Sequence, residues 1–403
     1  MTWYKDATPA QWRALVAAAL GWMLDGMDVM LYSMVLSHLA RDLGMTKEQS
    51  GVMMSLTLAA SAFGGLLFGV LADRWGRTRA LMGSILMYSV FTAACGLAQS
   101  LFMLGVFRVL LGLGMGGEWA AGAPLVAETW PDKHRAKAIG LMQSAWAIGY
   151  ALAAGITWAV LPVYGWRVVF FIGLLPALIT LWVRRSVEEP EIWRRQAAKA
   201  RPPLWTIFRG ELLRRTLVTG LMNAAAMFGW WGLFTWIPSF LSAPANQGGA
   251  GLDLLKSTQW IVLQQVGMWF GYASFGFIAD AIGRKRTYIG FLFMAALLVS
   301  LYAGTRNPTH LLVLGPLVAF FGTGFFSGFG TISAELFPTA VRATAQGFTY
   351  NIGRGLSAVA PWAVGGLAGA YGFGSAFYIT AAAFLLAALL AGLVPETKGK
   401  KLE

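Results

Sequence analysis

The chain has 403 residues, 57% hydrophobic and only 12% charged, with 31 Lys and Arg against 18 Asp and Glu. Soluble domains carry about 25% charged residues, so an ordinary soluble fold is excluded. The single cysteine, Cys95, leaves no disulfide within the chain and no Cys-based zinc site.

Taken in order, apolar stretches recur near 13–36, 50–72, 80–98, 101–123, 137–161 and 167–184, and after a polar segment near 213–240, 257–279, 287–304, 311–333, 343–367 and 372–394. Each is long enough to cross a hydrocarbon core of about 30 Å. The first runs on to Leu36, too long for the apolar core of a cleavable signal peptide, so it is expected to stay as a span. Pro162, Pro238 and the Asn307-Pro308 pair fall at or near the predicted helix ends. The longest polar stretch, 185–212, mixes both signs of charge and reads as a linker between an N-terminal unit, 1–184, and a C-terminal unit, 213–403.

The basic residues sort by loop. With the N-terminus cytoplasmic, 24 of the 31 fall on that side. Five (Arg41, Lys47, Arg167, Lys256 and Arg306) fall on the other, and Arg108 and Arg354 lie within spans. Positive residues collect on the cytoplasmic side of inner-membrane proteins, which predicts a multi-pass inner (plasma) membrane protein with both termini cytoplasmic. The net charge of +13 is then a topology signal, and nucleic acid is not an expected partner.

The chain also repeats itself. GVLADRWGRTR at 69–79 returns as GFIADAIGRKR at 276–286, and AETWPDKHRAKAIG at 127–140 returns as AELFPTAVRATAQG at 334–347. Both blocks shift by 207 positions, which points to duplication of a six-helix unit. Both units start on the same side, so the repeats are parallel. The expected fold is an all-α membrane protein of twelve transmembrane helices in two pseudo-symmetric six-helix bundles.

These blocks resemble the major facilitator superfamily of secondary transporters. Gly69-x-Leu71-Ala72-Asp73-Arg74-x-Gly76-Arg77 matches its signature between helices 2 and 3, and Gly276-x-Ile278-Ala279-Asp280-x-x-Gly283-Arg284 repeats it between helices 8 and 9. The resemblance implies a gating role for Asp73, Arg77, Asp280 and Arg284; a turn that only anchors topology is the alternative. Asp25-Gly26-Met27-Asp28 is similar to the Asp-Gly-aromatic-Asp pattern of aromatic-acid/proton symporters, with Met27 in place of the aromatic. Arg108 with Gly112, Gly114 and Gly116 resembles the helix-4 signature of proton-coupled members. Gly116-Gly117-Glu118-Trp119 and Arg354 look like the sialic-acid and monocarboxylate branch. The closing Pro395-Glu396-Thr397-Lys398-Gly399 resembles the last motif of sugar porters and says little about substrate.

The chemistry concentrates in five charges. Of 49 charged residues only Asp25, Asp28, Arg108, Glu118 and Arg354 fall inside spans away from their ends. A charge at the bilayer centre costs about 3 kcal/mol, so each must face a partner, a wet cavity or a ligand. At 1.5 Å per residue, Asp25 and Asp28 lie roughly 18 and 22 Å in and Arg108 roughly 20 Å, which puts Asp28 level with Arg108. Glu118 comes out only about 5 Å deep and Arg354 about 16 Å, near the midplane. Arg354, with Arg108, suits bidentate capture of a carboxylate. Asp25 or Asp28 suits proton exchange, and Glu118 an inner proton relay or a partner of Arg108. The plainer readings are an Asp28–Arg108 structural ion pair and an interfacial anchor at Glu118. Positions 315 and 325, equivalent to Arg108 and Glu118, are Gly and Phe, so Arg354 has no acid of its own half within a span. That asymmetry favours an anionic ligand.

Among uncharged residues, Asn223, Gln264, Gln265 and Asn351 could bond substrate or neighbouring helices equally well. Trp22, Tyr32, Trp146, Trp230, Trp231 and Tyr350 could line a cavity, although most Trp in such a chain sit at lipid interfaces or in packing. The binding set expected is Arg354, Arg108, Asn351, Gln264 and Tyr32. Gly112-x-Gly114-x-x-Gly117 satisfies a dinucleotide fingerprint formally, but it lies in an apolar helix with no preceding strand. Gly65-x-x-x-Gly69, Gly112-x-x-x-Gly116 and Gly267-x-x-x-Gly271 read as close helix contacts. His38, His134 and His310 are solitary, so no metal is expected, nor any enzyme site or cofactor beyond the proton as coupling ion. The function expected is proton-coupled symport of a small organic anion: a monocarboxylate, sugar acid or aromatic acid. The alternative is a proton-coupled efflux antiporter; a non-transporting receptor fits least. Partners are that anion, protons and the lipid bilayer, and the protein is expected to be a monomer.

Overall fold

The computed structural model describes residues 7–130, 132–189, 204–338 and 342–398. Part of the predicted linker, 190–203, lies outside the described residues. The first half comprises α1 Pro9–Asp42, α2 Lys47–Trp75, α3 Arg77–Cys95, α4 Leu101–Thr129, α5 Asp132–Ile172 and α6 Ala177–Ser186. The second comprises α7 Gly210–Phe234, α8 Ile237–Ser242, α9 Leu254–Ile282, α10 Arg284–Gly304, α11 Pro308–Leu336, α12 Arg342–Ser357 and α13 Val359–Ala391. Short 3₁₀ turns, Leu204–Phe208 and Ala245–Gln247, precede α7 and α9.

Local chemistry fixes several helix starts. In α1 the Thr8 hydroxyl accepts from the Gln11 backbone N–H while the Thr8 N–H donates to the Gln11 side chain, a closed capping box, and Thr46 with Gln49 repeats it for α2. Asn307 caps α11 by accepting from the Thr309 N–H, with Pro308 in the first turn, where its missing N–H costs nothing.

Among the described residues, ten helical stretches are long and apolar enough to cross a membrane. Two are of double length, 138–180 and 345–391, and each bends at a glycine in the left-handed region: Gly165 at φ 75° and Gly372 at φ 82°. Dividing both stretches at their bends makes the twelve spans expected. Three spans are less continuous than their hydropathy. The sixth breaks between α5 and α6, where Pro176 has no N–H to donate to the Ile172 carbonyl. The seventh turns at Thr235–Trp236, ahead of Pro238 near the start of α8. The eleventh turns at Ala358, because Pro361 cannot donate to the Ser357 carbonyl.

The duplication is visible in the backbone. Six of the eight positive-φ glycines among the described residues form pairs 207 positions apart: Gly44 with Gly251, Gly76 with Gly283, and Gly165 with Gly372. Arg77 pairs with Glu128 at 3.1 Å and Arg284 with Glu335 at 3.6 Å, again equivalent positions. Glu189 accepts from the backbone N–H groups of Thr78 and Arg79, and Glu396 from those of Arg284 and Lys285. Each carboxylate sits at a helix N-terminus, where free N–H groups and the helix dipole favour negative charge. Partial burial would raise the Glu396 carboxyl, but four backbone N–H donors outweigh it and hold the group below its ordinary range.

Helices cross closely where glycine removes the Cβ. A Cβ on Gly112 would overlap the Thr57 carbonyl and one on Gly116 the Ser61 carbonyl, fixing α2 against α4. Gly267 and Gly271 meet Pro316 and Phe320 of α11 in the same way. In the Gly65-x-x-x-Gly69 pair only Gly65 makes such a contact, against Asn351 of the other half, and Gly69 faces open space. The halves meet chiefly through α2 on α12 and α13 and through α5 on α9.

Gly116→Leu is expected to destabilise the fold by at least about 1–3 kcal/mol through overpacking, whereas Gly69→Leu meets nothing. Thermal melting of the detergent-solubilised variants checks this; equal melting temperatures would contradict the close α2–α4 crossing.

Candidate functional site

Where α1, α5, α7, α9, α11 and α12 converge they enclose a small cavity. The first half lines it with Trp22, Gln143 and Trp146, and the second with Trp230, Trp231, Tyr272, Phe326, Tyr350 and Arg354. Trp146 is the hinge of this aromatic box: its ring lies 4.9 Å from Trp22, 5.9 Å from Trp230 and 6.0 Å from Trp231, centroid to centroid. It reaches the box because Gly26 of α1 leaves room for its indole. Gln143 and Trp146 are three residues apart on α5 and therefore share a face.

Arg354 is the charge in this lining, 1% exposed. Its Nη2 donates to the Tyr350 hydroxyl at 3.3 Å, while Nε and Nη1 have no partner. Asp25 lies within electrostatic reach of Arg354 without closing an ion pair. Three indole N–H groups (Trp22, Trp146 and Trp230) and the Gln143 amide oxygen are also buried without partners. Buried polar groups in folded proteins are nearly always paired, so a cluster of unpaired groups around one cavity marks a candidate binding position. Donors dominate the cluster, which suits an acceptor-rich guest.

Beside the cavity, three acids line one face of α1. Asp25, Asp28 and Glu118 are wholly buried, and none of their carboxylate oxygens has a hydrogen-bond partner. Glu118 packs on Gly21, where a Cβ would overlap its carboxylate, and Gly21, Asp25 and Asp28 follow one another at one-turn spacing. Tyr88 lies within electrostatic reach of all three and donates its hydroxyl to the Gly21 carbonyl at 3.2 Å. The depth expected for Glu118 needs correction. The helix α4 runs on to Thr129 rather than stopping near 123, so Glu118 is roughly 16 Å from its end. An interfacial anchor is not what the structure contains.

Arg108 also differs from expectation. It forms no ion pair with Asp28; Nη2 contacts the Met54 sulfur at 3.1 Å and the guanidinium lies 4.2 Å from the Tyr32 ring centroid. Its Nε and Nη1 have no hydrogen-bond partner, as in Arg354, and the Tyr32 ring face offers the guanidinium part of the negative potential a carboxylate would give. Neither Arg108 nor Tyr32 lines the cavity, and the Tyr32 hydroxyl donates to the Ser50 carbonyl at 2.7 Å. Gln264 is likewise outside, bonded to the Tyr302 hydroxyl at 3.2 Å, and Asn351 donates to the Gly347 carbonyl while packing on Gly65. Asn223 donates across to the Thr349 carbonyl of α12, and Gln265 to the Ile261 carbonyl one turn back on its own helix. Of the gating residues expected, Arg77 and Arg284 hold the pairs described above, and the side chains of Asp73 and Asp280 lie outside the described residues. Among the described residues no group of three or more metal-ligating side chains occurs.

Sequence reasoning missed Gln143, Tyr272 and Phe326. Gln143 was within reach: it is a polar side chain in an apolar span, one turn before Trp146.

Hydrogen bonds between the halves gather at the face opposite the start of α1. The Tyr150 hydroxyl donates to the Phe234 carbonyl, Lys47 to the Ala368 carbonyl, the Trp362 N–H to Ser55 and the Trp362 indole to Glu48. On the other side of the cavity Tyr350 stacks on Trp119, rings 4.0 Å apart and 7° from parallel.

The sequence matches the family described as Major Facilitator Superfamily over residues 18–263 and again over 245–403. It is 36% identical to a "Probable 4-methylmuconolactone transporter" of Cupriavidus pinatubonensis, covering 100% of this chain and 94% of that one. It is 32% identical to the "Sialic acid transporter NanX" of Escherichia coli, covering 95% and 93%. Among solved structures, a bacterial homologue of the human lysosomal transporter Spinster, inward-facing and occupied, superposes with a TM-score of 0.73 at 18% identity, covering 96% and 97% of the two chains.

A buried guanidinium with two unpartnered nitrogens is a standing cost to the fold. Arg354→Met is therefore expected to stabilise the ligand-free protein, by up to about 3 kcal/mol, read as a higher melting temperature in detergent. A lower one would mean that Arg354 holds the fold together.

Proposed function

The chain belongs to the major facilitator superfamily, and from that premise we propose that it is a proton-coupled symporter taking up a small organic anion by alternating access. The observation that carries this reading is Arg354, enclosed at the meeting of the halves with Nε and Nη1 unpartnered and no carboxylate closed upon it. A guest carboxylate satisfies both nitrogens with two parallel charge-assisted bonds. The names of the relatives agree in kind, since muconolactone and sialic acid transporters carry organic acids.

The proton acts through Asp25. With Arg354 empty, the ionised Asp25 has the guanidinium within electrostatic reach and the pair is neutral overall. An arriving anion cancels the Arg354 charge and leaves Asp25 beside a second negative group, which favours its protonation. Binding of anion and proton is thereby linked, and each strengthens the other by the same factor. Asp28, one turn beyond Asp25 on α1, and Glu118 of α4, packed on Gly21 one turn before it, provide the steps by which a proton passes down the first half. With both termini cytoplasmic, the sealed face is periplasmic, and the guest leaves past the Trp119–Tyr350 stack. The efflux alternative has less support: the cavity's charge is a cation, which disfavours the cationic amphiphiles that such antiporters export.

Proteoliposomes with an inward proton gradient, offered benzoate, hydroxybenzoate, lactate and sialate, are expected to accumulate at least one. No acid-driven accumulation of any carboxylate would sink the proposal. Arg354→Lys is expected to weaken apparent affinity roughly tenfold or more, an ammonium lacking the planar fork. Asp25→Asn is expected to keep anion exchange across the membrane while losing uphill accumulation; retained accumulation would remove Asp25 from the coupling.

A further inference from the structure

The three buried acids of the first half share no hydrogen bond, and one phenol stands among them. Tyr88 of α3 is wholly buried, lies within electrostatic reach of Asp25, Asp28 and Glu118, and donates to the Gly21 carbonyl at 3.2 Å. That carbonyl sits one helical turn before Asp25, whose backbone N–H is its intrahelical donor. The Tyr88 bond is therefore a second one, which the carbonyl can lose without being left unpaired. From the other side the Glu118 carboxylate packs on the same residue, in space that only a glycine leaves open. Gly21 thus brings together the backbone of α1, the phenol of α3 and the carboxylate of α4.

The phenol is firmly mounted. Ser84, one turn before it, donates to the Gly114 carbonyl at 2.8 Å, and a Cβ on Gly114 would overlap the Tyr88 backbone. Thr92, one turn after it, donates to the Tyr88 carbonyl at 2.8 Å. With α3 pressed this closely on α4, the O–H is the part of Tyr88 left free to turn. The duplication shows what the phenol accompanies. The positions 207 residues on from Gly21, Asp25, Tyr88 and Glu118 are Phe228, Gly232, Ala295 and Phe325. A hydroxyl kept only to tie two helices together would serve the second half equally well, yet it is missing where the acids are missing.

Resting on the proton-coupled reading above, we infer that Tyr88 is the relay that carries the proton between Asp25 and Glu118. A phenol both donates and accepts, so it can link an acid that holds a proton to one that does not. When Asp25 is protonated its O–H donates to the Tyr88 oxygen, and the Tyr88 O–H turns from the Gly21 carbonyl to the ionised Glu118. The Asp25 O–H bond breaks as one forms on Tyr88, and the O–H that Tyr88 held breaks as one forms on Glu118. Asp25 ends ionised, Glu118 protonated and Tyr88 neutral, its hydroxyl returning to Gly21. No phenolate forms, which spares a dry interior an added charge. The groups facing this transfer are Asp25 and Asp28 from α1, Glu118 from α4 and, beyond Asp25, Arg354 from α12. Cys95 of α3 lies within reach of Asp28 and of Arg108.

The test is transport by the full-length protein in proteoliposomes, using whichever of benzoate, hydroxybenzoate, lactate and sialate wild type accumulates best. Tyr88→Phe, which removes only the hydroxyl, is expected to slow proton-driven net uptake about tenfold or more while anion exchange, which requires no proton release, stays within about twofold. Net uptake by the variant is expected to recover in part as internal pH is raised, because the slowed transfer then meets Glu118 more often in its ionised, receiving form. A tie between helices would instead slow exchange and uptake together at every internal pH. In a Glu118→Gln background, where the receiving carboxylate is gone, Tyr88→Phe is expected to add no further loss. Unchanged uptake in Tyr88→Phe, parallel loss of uptake and exchange, or a loss that adds to that of Glu118→Gln overturns the relay and leaves proton coupling intact. Should Tyr88→Phe not fold, infrared difference spectra on acidifying wild type and Glu118→Gln decide. A tyrosine C–O band that shifts in wild type and not in Glu118→Gln supports the relay; no shift, or one that persists, overturns it. No proton-driven accumulation of any of the four anions by wild type overturns both readings together.

Discussion

A guanidinium enclosed between two helical bundles, with no acid closed upon it, sets the terms for the rest of this molecule. Two nitrogens of Arg354 lack partners in a site where water is scarce and charge is expensive. The fold tolerates that cost because the surrounding helices are locked by contacts that do not involve the site: glycine-mediated crossings of α2 with α4 and of α9 with α11, and mirrored ion pairs at the helix ends. Stability is built into the repeated frame, and the cost is confined to the seam between the halves.

The duplication explains why that division is possible. Much of the frame obeys the 207-residue shift: three pairs of left-handed glycines, the Arg77–Glu128 and Arg284–Glu335 pairs, and the Glu189 and Glu396 caps. The buried charges do not. The first half keeps Asp25, Asp28 and Glu118, while the second presents Arg354 and no acid from its own spans. A symmetric pair of bundles can rock about a shared axis, and an asymmetric distribution of charge across their seam gives that motion something to respond to. In this sense the halves have diverged where they face one another and stayed alike where they must move.

Much of this was legible in the sequence because membrane physics writes in long apolar runs and rare charges. The spans, the repeat and the isolation of Arg354 follow from counting, and Trp22, Trp146, Trp230, Trp231 and Tyr350 were among the candidate cavity residues. What failed had identifiable causes. Glu118 was placed too shallow because hydropathy ends a span at the last apolar residue, whereas the α4 hydrogen-bond ladder continues to Thr129. Depth put Asp28 level with Arg108, but depth carries no rotation about the helix axis, and the Tyr32 ring holds the guanidinium instead. Arg108, Tyr32, Gln264 and Asn351 all lie outside the cavity for the same reason: a polar residue at the right height can still face a neighbouring helix. The third repeated block, Val187 and Glu189 against Val394 and Glu396, was too short to register as sequence and became visible once both glutamates were seen capping equivalent helices.

The two sides of the cavity are closed by different chemistry, and the difference bears on how occupancy is sensed. The face opposite the start of α1 is tied by direct hydrogen bonds between halves, from Lys47, Tyr150 and Trp362, none of which touches the cavity lining. The other side is closed by the Trp119–Tyr350 stack, and Tyr350 is itself bonded to Arg354. In the proposed cycle a carboxylate that takes the guanidinium competes for the donor that now orients Tyr350. A stacked ring pair loses little when it slides, whereas a hydrogen bond broken in a dry interior loses its full desolvation cost. In that cycle anion binding would act first on the weaker of the two closures, loosening the side from which the ligand is proposed to leave while the far seal stays shut.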